Sequence, residues 1–162
     1  NGLKTTSGHI WAAGDVIGGE SSTEKATYEA RLATMNALKK VGNTVNYTGF
    51  VRMTNTMPQV AKVGLNEIEC VQLGQKQKTV LVPIDLVSAA NTNDFREGFI
   101  KLTSDMKGQI LGATVVAPNA DLIVQEISLA IRSGIKVSEL AATPHIATSW
   151  SEAVRIAARE LA

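Results

Sequence analysis

The stretch GFIKLTSDMKGQILGATVVA, residues Gly98–Ala117, decides the fold. Two β-rich runs, Gly98–Ser104 and Gln109–Ala117, flank the turn-forming tetrapeptide Asp105–Gly108. Strand-forming runs separated by a short glycine-containing turn are typical of a β-hairpin. The centre of the chain is therefore predicted to be antiparallel.

Further strands are expected on the N-terminal side of this hairpin. They cover Phe50–Thr54, Val60–Leu65 and Lys78–Asp85. Between the second and third of them, Asn66 can cap a short helix that has Glu69 at the third position after the cap and Gly74 at its end.

Helices are expected on the C-terminal side. Asn119 is predicted to cap the longest one, which reaches Ser133 and is stopped by Gly134. Shorter helices are predicted over Glu139–Ala142, capped by Ser138, and over Trp150–Ala162. Strands followed by helices, with a hairpin between them, indicate an α+β domain with helices packed on an antiparallel sheet.

The first 47 residues have a different character. The apolar run His9–Ala13 is expected to be a strand that stops at Gly14–Asp15. After a glycine- and serine-rich loop, a helical pattern of small residues begins at Thr23 and ends at Gly42–Asn43. A domain boundary is placed near residue 47. Because the chain opens on a turn-rich segment without Met, we expect a piece of a longer protein.

Composition excludes several classes of function. Of 162 residues, 44% are hydrophobic and 19% charged, as in ordinary globular domains. Sixteen basic residues against 15 acidic ones leave a net charge of +1, so neither nucleic acid nor a membrane surface is an expected partner. No apolar run approaches the roughly 18 residues of a membrane span. The single cysteine, Cys70, fits a reducing compartment, and a cytoplasmic location is predicted.

Few residues carry chemistry. There is no glycine-rich dinucleotide fingerprint or phosphate loop, and the two histidines have no ligand-spaced partners, so no metal site is expected. Asp15 can accept hydrogen bonds from sugar-type hydroxyls, and the helix start at Thr23 offers free amides, although an ordinary turn explains the same residues. His145 and Glu152 lie seven apart; a loop histidine and a first-turn glutamate are the alternative.

Five stretches together resemble the pyridine nucleotide-disulfide oxidoreductases. They are TTS at 5–7 with HIWAAGDV at 9–16, PQVAKVGLNE at 58–67, GFIKL at 98–102, ILGA at 110–113, and APNA at 117–120 with the helix after it. The first is similar to the second flavin motif of that family, and the others are similar to its dimerisation domain. Mercuric reductases and dihydrolipoamide dehydrogenases are the branches that the sequence resembles.

The resemblance implies an organisation and a function. Residues 1–47 would be the C-terminal segment of the FAD-binding domain, and 48–162 the dimerisation domain. The glycine-rich flavin loop, the nicotinamide site and the redox-active cysteine pair would lie upstream. The chain would be the homodimerisation portion of an FAD-dependent enzyme that takes electrons from NAD(P)H to a disulfide or a metal ion, and its C-terminal loop would lie at the partner subunit's active site. By itself it is expected to dimerise and to bind FAD weakly or not at all. A non-catalytic scaffolding module is the alternative.

The same resemblance assigns the site residues. Asp15, preceded by Gly14, matches the carboxylate that holds the ribityl chain of the flavin, and Thr23 matches a position whose backbone amide faces the pyrimidine end of the flavin ring. Gly14, Asp15 and Thr23 are therefore the predicted cofactor-binding residues.

The C-terminal segment departs from the family pattern His-x-His-Pro-Thr-x-x-Glu, in which the second His is the acid/base and the Glu orients it. Here residues 145–152 read HIATSWSE, which puts Ala147 at the acid/base position. Mercuric reductases have Tyr there. Either the reaction proceeds without a histidine at this position, or His145 serves as the acid/base in its place, with Glu152 as the second catalytic candidate. In the second case, His145→Ala would lower disulfide reduction about 10²-fold or more.

Overall fold

A computed structural model describes residues 2–39 and 42–162. The chain divides into two compact units, one that reaches to Tyr47 and one that spans Thr48–Ala162. The first unit is a loop-rich segment followed by one long helix, and the second is a sheet covered by helices.

The long helix of the first unit, α1, spans Thr23–Lys39 and follows a 3₁₀ turn at Gly14–Ile17. The hydroxyl of Ser22 accepts the Lys25 N–H at 3.1 Å and caps the helix. The helix ends at Lys39, and Gly42 and Asn43, which were predicted to end it, lie outside it.

The strand expected over His9–Ala13 is reduced to a single antiparallel bridge between Trp11 and Lys4. Within the described part of this unit, only the short segment around Lys4 runs alongside the apolar run, and the turns on either side of it prevent a longer ladder.

The second unit contains one five-stranded sheet in which every neighbouring pair is antiparallel. The strands are β1 (Val51–Thr54), β2 (Gln59–Gly64), β3 (Gln77–Pro83), β4 (Phe99–Asp105) and β5 (Ile110–Ala117), in the order β1-β2-β5-β4-β3. The predicted hairpin is confirmed. In its turn, the carboxylate of Asp105 accepts the N–H groups of Lys107 and Gln109, each at 2.8 Å. The α+β class is likewise confirmed.

Helices of the second unit are α2 (Glu67–Gln72), α3 (Ser88–Thr92), α4 (Ala120–Ser133), α5 (Val137–Ala142) and α6 (Glu152–Leu161). Helix α3 and the 3₁₀ turn before it, Ile84–Leu86, were not predicted. That turn ends β3 at Pro83, two residues earlier than expected, and the Ile84 N–H then donates to the Gly98 carbonyl at 3.1 Å.

Helices α4 and α6 cover one face of the sheet. The apolar side chains that point between sheet and helices are fully buried: Ala61, Val63, Ile100 and Leu102 from the strands, Ile123 and Ile127 from α4, and Val154 and Ala157 from α6. This alternation of strand residues makes one face the core, as a period of two requires.

Helix α2 is tied to the opposite face of the sheet by charge. Lys62 on β2 donates to Glu69 at 2.7 Å, and Lys101 on β4 lies 2.9 Å from Glu67. The hydrogen bonds from these lysines hold the pKa of each glutamate below its ordinary value. The predicted Asn66 cap is confirmed and is a full capping box, since the side chain of Asn66 accepts the Glu69 N–H and the Glu69 carboxylate accepts the Asn66 N–H.

Three other helix starts differ from expectation. Asn119 precedes α4 but makes no side-chain cap; its φ of +56° turns the backbone into the helix instead. Helix α5 begins at Val137, before Ser138, because the Glu139 carboxylate accepts the Lys136 N–H at 2.8 Å. Helix α6 begins at Glu152 rather than Trp150, after a turn at 149–151.

Candidate functional site

The turn at Gly14–Asp15 in the first unit is built around a glycine. Gly14 is buried with φ +79°, a conformation that side chains disfavour. A Cβ placed on Gly14 would lie 3.2 Å from the Cβ of Ala26 on α1. Small residues at both positions therefore let the turn approach the beginning of α1 closely.

Glu29, fully buried on α1, holds this turn in place. One carboxylate oxygen accepts the Gly14 N–H at 2.7 Å, and the other accepts the hydroxyl of Tyr47 and lies 3.7 Å from the Lys25 ammonium. Burial is the largest single influence on the pKa of Glu29 and raises it. The hydrogen bonds from Tyr47 and Gly14 and the charge of Lys25 together outweigh burial and lower the pKa below its usual value. Glu29 is therefore ionised. Burial and the neighbouring Glu29 raise the pKa of Tyr47 to about 12.

Sequence reasoning missed Glu29. The helix was expected to pack through its small residues. Ala33 among them is buried, but the other buried residues of α1 are Glu29 and Asn36. Their spacing of four and three puts the three residues on one face of the helix, but because a glutamate on a helix usually faces water, this spacing alone does not single out Glu29.

Asp15 and Thr23, the other predicted cofactor contacts, are both exposed to solvent. Within the described residues, no hydrogen bond or ion pair engages the Asp15 carboxylate. Thr23 is the first residue of α1. Ser22 accepts the N–H groups of Lys25 and Ala26, and the Thr23 N–H lies nearer the start of the helix than either of them. The turn thus offers a free carboxylate as an acceptor for hydroxyls, and α1 offers free amides as donors to a carbonyl or phosphate oxygen.

His145, in the second unit, lies in the segment between α5 and α6, with only 4% of its side chain exposed. Its Nε2 lies 3.0 and 3.1 Å from the two carboxylate oxygens of Glu126 on α4. Its Nδ1 lies 2.9 Å from the carbonyl oxygen of Thr143. The contact between His145 and Glu126 was not predicted from the sequence.

Glu152, at the start of α6, has a different partner from His145. Its Oε1 accepts from the Arg155 guanidinium at 2.6 Å, while its Oε2 is buried and has no hydrogen-bond partner within the described part of the chain. The structure therefore pairs the two predicted catalytic residues with other side chains. Ala147, between them in sequence, is exposed.

The outer face of α4 carries two leucines that the core does not use. Leu122 is 65% exposed and Leu129 is 62% exposed, while Ile123 and Ile127 on the inner face are fully buried. Residues seven apart on a helix lie on the same face. This pair of leucines is called the α4 outer face below.

Comparison with known proteins places the chain. Residues 50–158 match the dimerisation domain of the pyridine nucleotide-disulphide oxidoreductases. The chain belongs to that family. This match covers most of the second unit, from the first strand of the sheet into α6.

Relatives and solved structures agree with the family. The chain is 36% identical to a mercuric reductase of Bacillus cereus over 96% of its own length and 25% of the relative. It is 31% identical to a dihydrolipoyl dehydrogenase of Staphylococcus aureus over 97% of its length and 34% of the relative. The crystal structure of LpdA from Mycobacterium tuberculosis superposes with a TM-score of 0.90 at 28% identity, over 99% of this chain and 35% of that one. The chain thus spans about a quarter to a third of these family members.

Other kinds of site find no support in the described residues. No group of three or more His, Cys, Asp or Glu side chains in 2–39 and 42–162 is arranged to hold a metal ion. Cys70 is buried on α2, and burial, then the charges of Glu69 and Glu67, raise the pKa of its thiol. Among the helices in this part of the chain, none has the length and apolar character needed to cross a membrane.

Proposed function

We propose that this chain is the homodimerisation portion of an FAD-dependent oxidoreductase that takes electrons from NAD(P)H to a disulfide or a metal ion. The observation that carries the proposal is the α4 outer face: Leu122 and Leu129 are exposed to solvent, whereas Ile123 and Ile127 on the inner face of the same helix are fully buried. A twofold interface needs such a self-complementary apolar patch, with residues repeated on both subunits. In this proposal the segment 145–152 lies at the active site of the partner subunit.

The groups of the first unit fit a flavin dinucleotide. Asp15 has a free, exposed carboxylate suited to the hydroxyls of a ribityl chain, and the first amides of α1 at Thr23 suit an electron-rich ring carbonyl. Gly14 keeps the turn close to α1, with Glu29 fixing its N–H. FAD, when bound, supplies a two-electron carrier between the nicotinamide and the acceptor. The protein's part, on this chain, is to bind and orient.

Position 147 bears on the class of acceptor. Dithiol–disulfide exchange releases a thiolate that needs a proton donor nearby, and Ala147 cannot supply one. His145 has both ring nitrogens engaged, which favours the alternative in which the chemistry does without a histidine at this point. A metal-ion acceptor takes electrons without that proton. We therefore place the enzyme on the mercuric reductase side of the family. The cytoplasmic location is a separate part of the proposal, based on the single cysteine, Cys70.

This choice of acceptor predicts a gain of function. In the family pattern, the glutamate at the position of Glu152 orients an imidazole at the position of Ala147, and Glu152 has one carboxylate oxygen without a partner within the described residues. Ala147→His in the full-length enzyme is expected to raise the reduction rate of a small disulfide by about 10²-fold, the usual effect of a general acid/base. Metal-ion reduction should not change. The reverse pattern would contradict the assignment.

The flavin proposal is tested on the full-length protein that contains this chain. We expect it to purify yellow and to be bleached by NADH or NADPH under anaerobic conditions. Asp15→Ala is expected to lose most of the bound FAD. Thr23→Ala is the matched control: because Thr23 would act through its backbone amide, this variant should retain FAD. A colourless dimer would favour the scaffolding alternative, and FAD loss in both variants alike would refute the assigned contacts.

A further inference from the structure

Both groups that contact the ring nitrogens of His145 are hydrogen-bond acceptors. The Thr143 carbonyl, 2.9 Å from Nδ1, accepts only, and the Glu126 carboxylate, 3.0 Å from Nε2, accepts only when ionised. A neutral imidazole has one N–H, so it satisfies one of these groups and turns a lone pair toward the other. Both contacts are hydrogen bonds only when both ring nitrogens carry protons.

The shared proton between Nε2 and Glu126 belongs on the imidazole. An ordinary imidazole has a pKa of about 6.5 and an ordinary glutamate about 4.3, so the ring is the stronger base. Glu126 is also part-exposed, at 30% of its side chain, which lets water stabilise its charge. The pair is thus an imidazolium–carboxylate ion pair rather than a neutral one.

We propose that Glu126 and the Thr143 carbonyl hold His145 as an imidazolium, and that this ion pair fastens the segment after α5 to α4. Glu126 is then a positioning residue for the segment 145–152. The importance of that positioning for catalysis rests on the proposed function, which puts this segment at the partner subunit's active site. The ion pair itself lies within one chain.

Most of the other charged groups on the neighbouring helices have partners of their own. Glu139 of α5 accepts the Lys136 N–H, Glu152 and Arg155 of α6 pair with each other, and Arg159 donates to the Ala141 carbonyl. On α4, Arg132 donates to the Thr48 carbonyl, and Asp121 has a buried oxygen without a partner within the described residues. Glu126 is the charged group within bonding distance of the ring.

Two consequences follow. A doubly protonated ring with both N–H groups bonded has no lone pair with which to act as a base, so His145 does not replace the histidine absent at position 147. When the ring lacks either of its two N–H groups, one acceptor loses its donor. The segment Ile146–Ser149 is then held by fewer contacts and becomes more mobile, whereas the core helices do not.

The test is NMR on this chain, in which His9 and His145 are the only histidines. At about pH 5.5, below the ordinary histidine pKa of about 6.5, we expect two slowly exchanging ring N–H signals from the nearly buried His145 and none from the exposed His9. In Glu126→Gln, the amide can donate to Nε2, so the neutral ring with only its Nδ1 proton is satisfied and the Nε2–H signal should disappear. Glu160→Gln removes an exposed carboxylate of α6 and is the charge-matched control.

Backbone relaxation gives the second measurement. Order parameters of the Ile146–Ser149 amides are expected to fall from near 0.85 to below about 0.6 when His145 is replaced by Asn. Two ring N–H signals that persist in Glu126→Gln, or order parameters that do not change in His145→Asn, would overturn the proposal. A dispersed spectrum shows that each variant is folded. Because the ion pair is internal to one chain, a monomeric chain, or a full-length protein without flavin, would refute the proposed function and leave this test intact.

Discussion

Replacing the leucines of the α4 outer face by alanine should weaken the dimer. The size of the effect follows from how much of each leucine is exposed in the single chain and can be buried by the partner. Complete burial of a leucine side chain contributes about 1.5–3 kcal/mol. Leu122 and Leu129 have 65% and 62% of their surface left to bury. Allowing for the Cβ that alanine keeps, each truncation removes about 1–1.5 kcal/mol per copy.

Twofold symmetry doubles this loss, because each residue occurs twice in an isologous interface. Leu122→Ala or Leu129→Ala should therefore cost about 2–3 kcal/mol per dimer, which raises the dimer Kd about 30- to 140-fold. The double variant should raise it by roughly 10³-fold or more if the two sites add.

Sedimentation equilibrium of the isolated chain measures these constants. Leu86→Ala is the matched control, since Leu86 is equally exposed at 62% but follows β3, at the far edge of the sheet from β1. Its Kd should equal that of the unaltered chain. An unchanged Kd in the double variant, or an equal loss in Leu86→Ala, would show that the interface does not use the α4 outer face.

Two further predictions concern the stability of the separate units. The phenol of Tyr47 should ionise at about pH 12, so its bond to Glu29 stabilises the fold fully below pH 10 and is lost as the pH rises toward 12. Glu29→Gln should lower the pKa of Tyr47. The titration is followed by phenolate absorbance, and the signal of Tyr47 is identified as the part that Tyr47→Phe removes. An unchanged Tyr47 pKa in Glu29→Gln would contradict the pairing of the two residues. Gly49→Ala should lower the free energy of unfolding in urea by roughly 2–4 kcal/mol, because φ is +69° and a Cβ would lie 2.6 Å from Arg132 Cγ. Gly134→Ala, with the same φ and open space around it, should cost about 1–2 kcal/mol; equal losses would refute the steric argument.

The sheet could be predicted from sequence because its signals are local. Alternating apolar residues and the turn at Asp105–Gly108 specify the hairpin without reference to the rest of the fold, and the Asn66–Glu69 spacing specifies the α2 cap. Helix α3 could not, since SAANT at 88–92 is too short to show a period. Ser138 is a residue type that often caps helices, but the N-cap of α5 is Lys136, whose N–H donates to the Glu139 carboxylate.

The charged contacts of the sites could not be predicted for a different reason. A glutamate on a helix usually faces water, and nothing local distinguishes Glu29 or Glu126 from such a residue. What singles them out is a donor supplied from elsewhere in the chain: Gly14 and Tyr47 for Glu29, and His145 for Glu126. Spacing in sequence suggested His145 with Glu152, seven residues apart, whereas the fold brings His145 to a helix 19 residues earlier.

The mass of the isolated chain in solution tests the dimerisation function most directly. Sedimentation equilibrium at tens of micromolar should give a species of twice 17.2 kDa that dissociates on dilution. A mass of 17.2 kDa throughout that concentration range would contradict the proposed role of the chain.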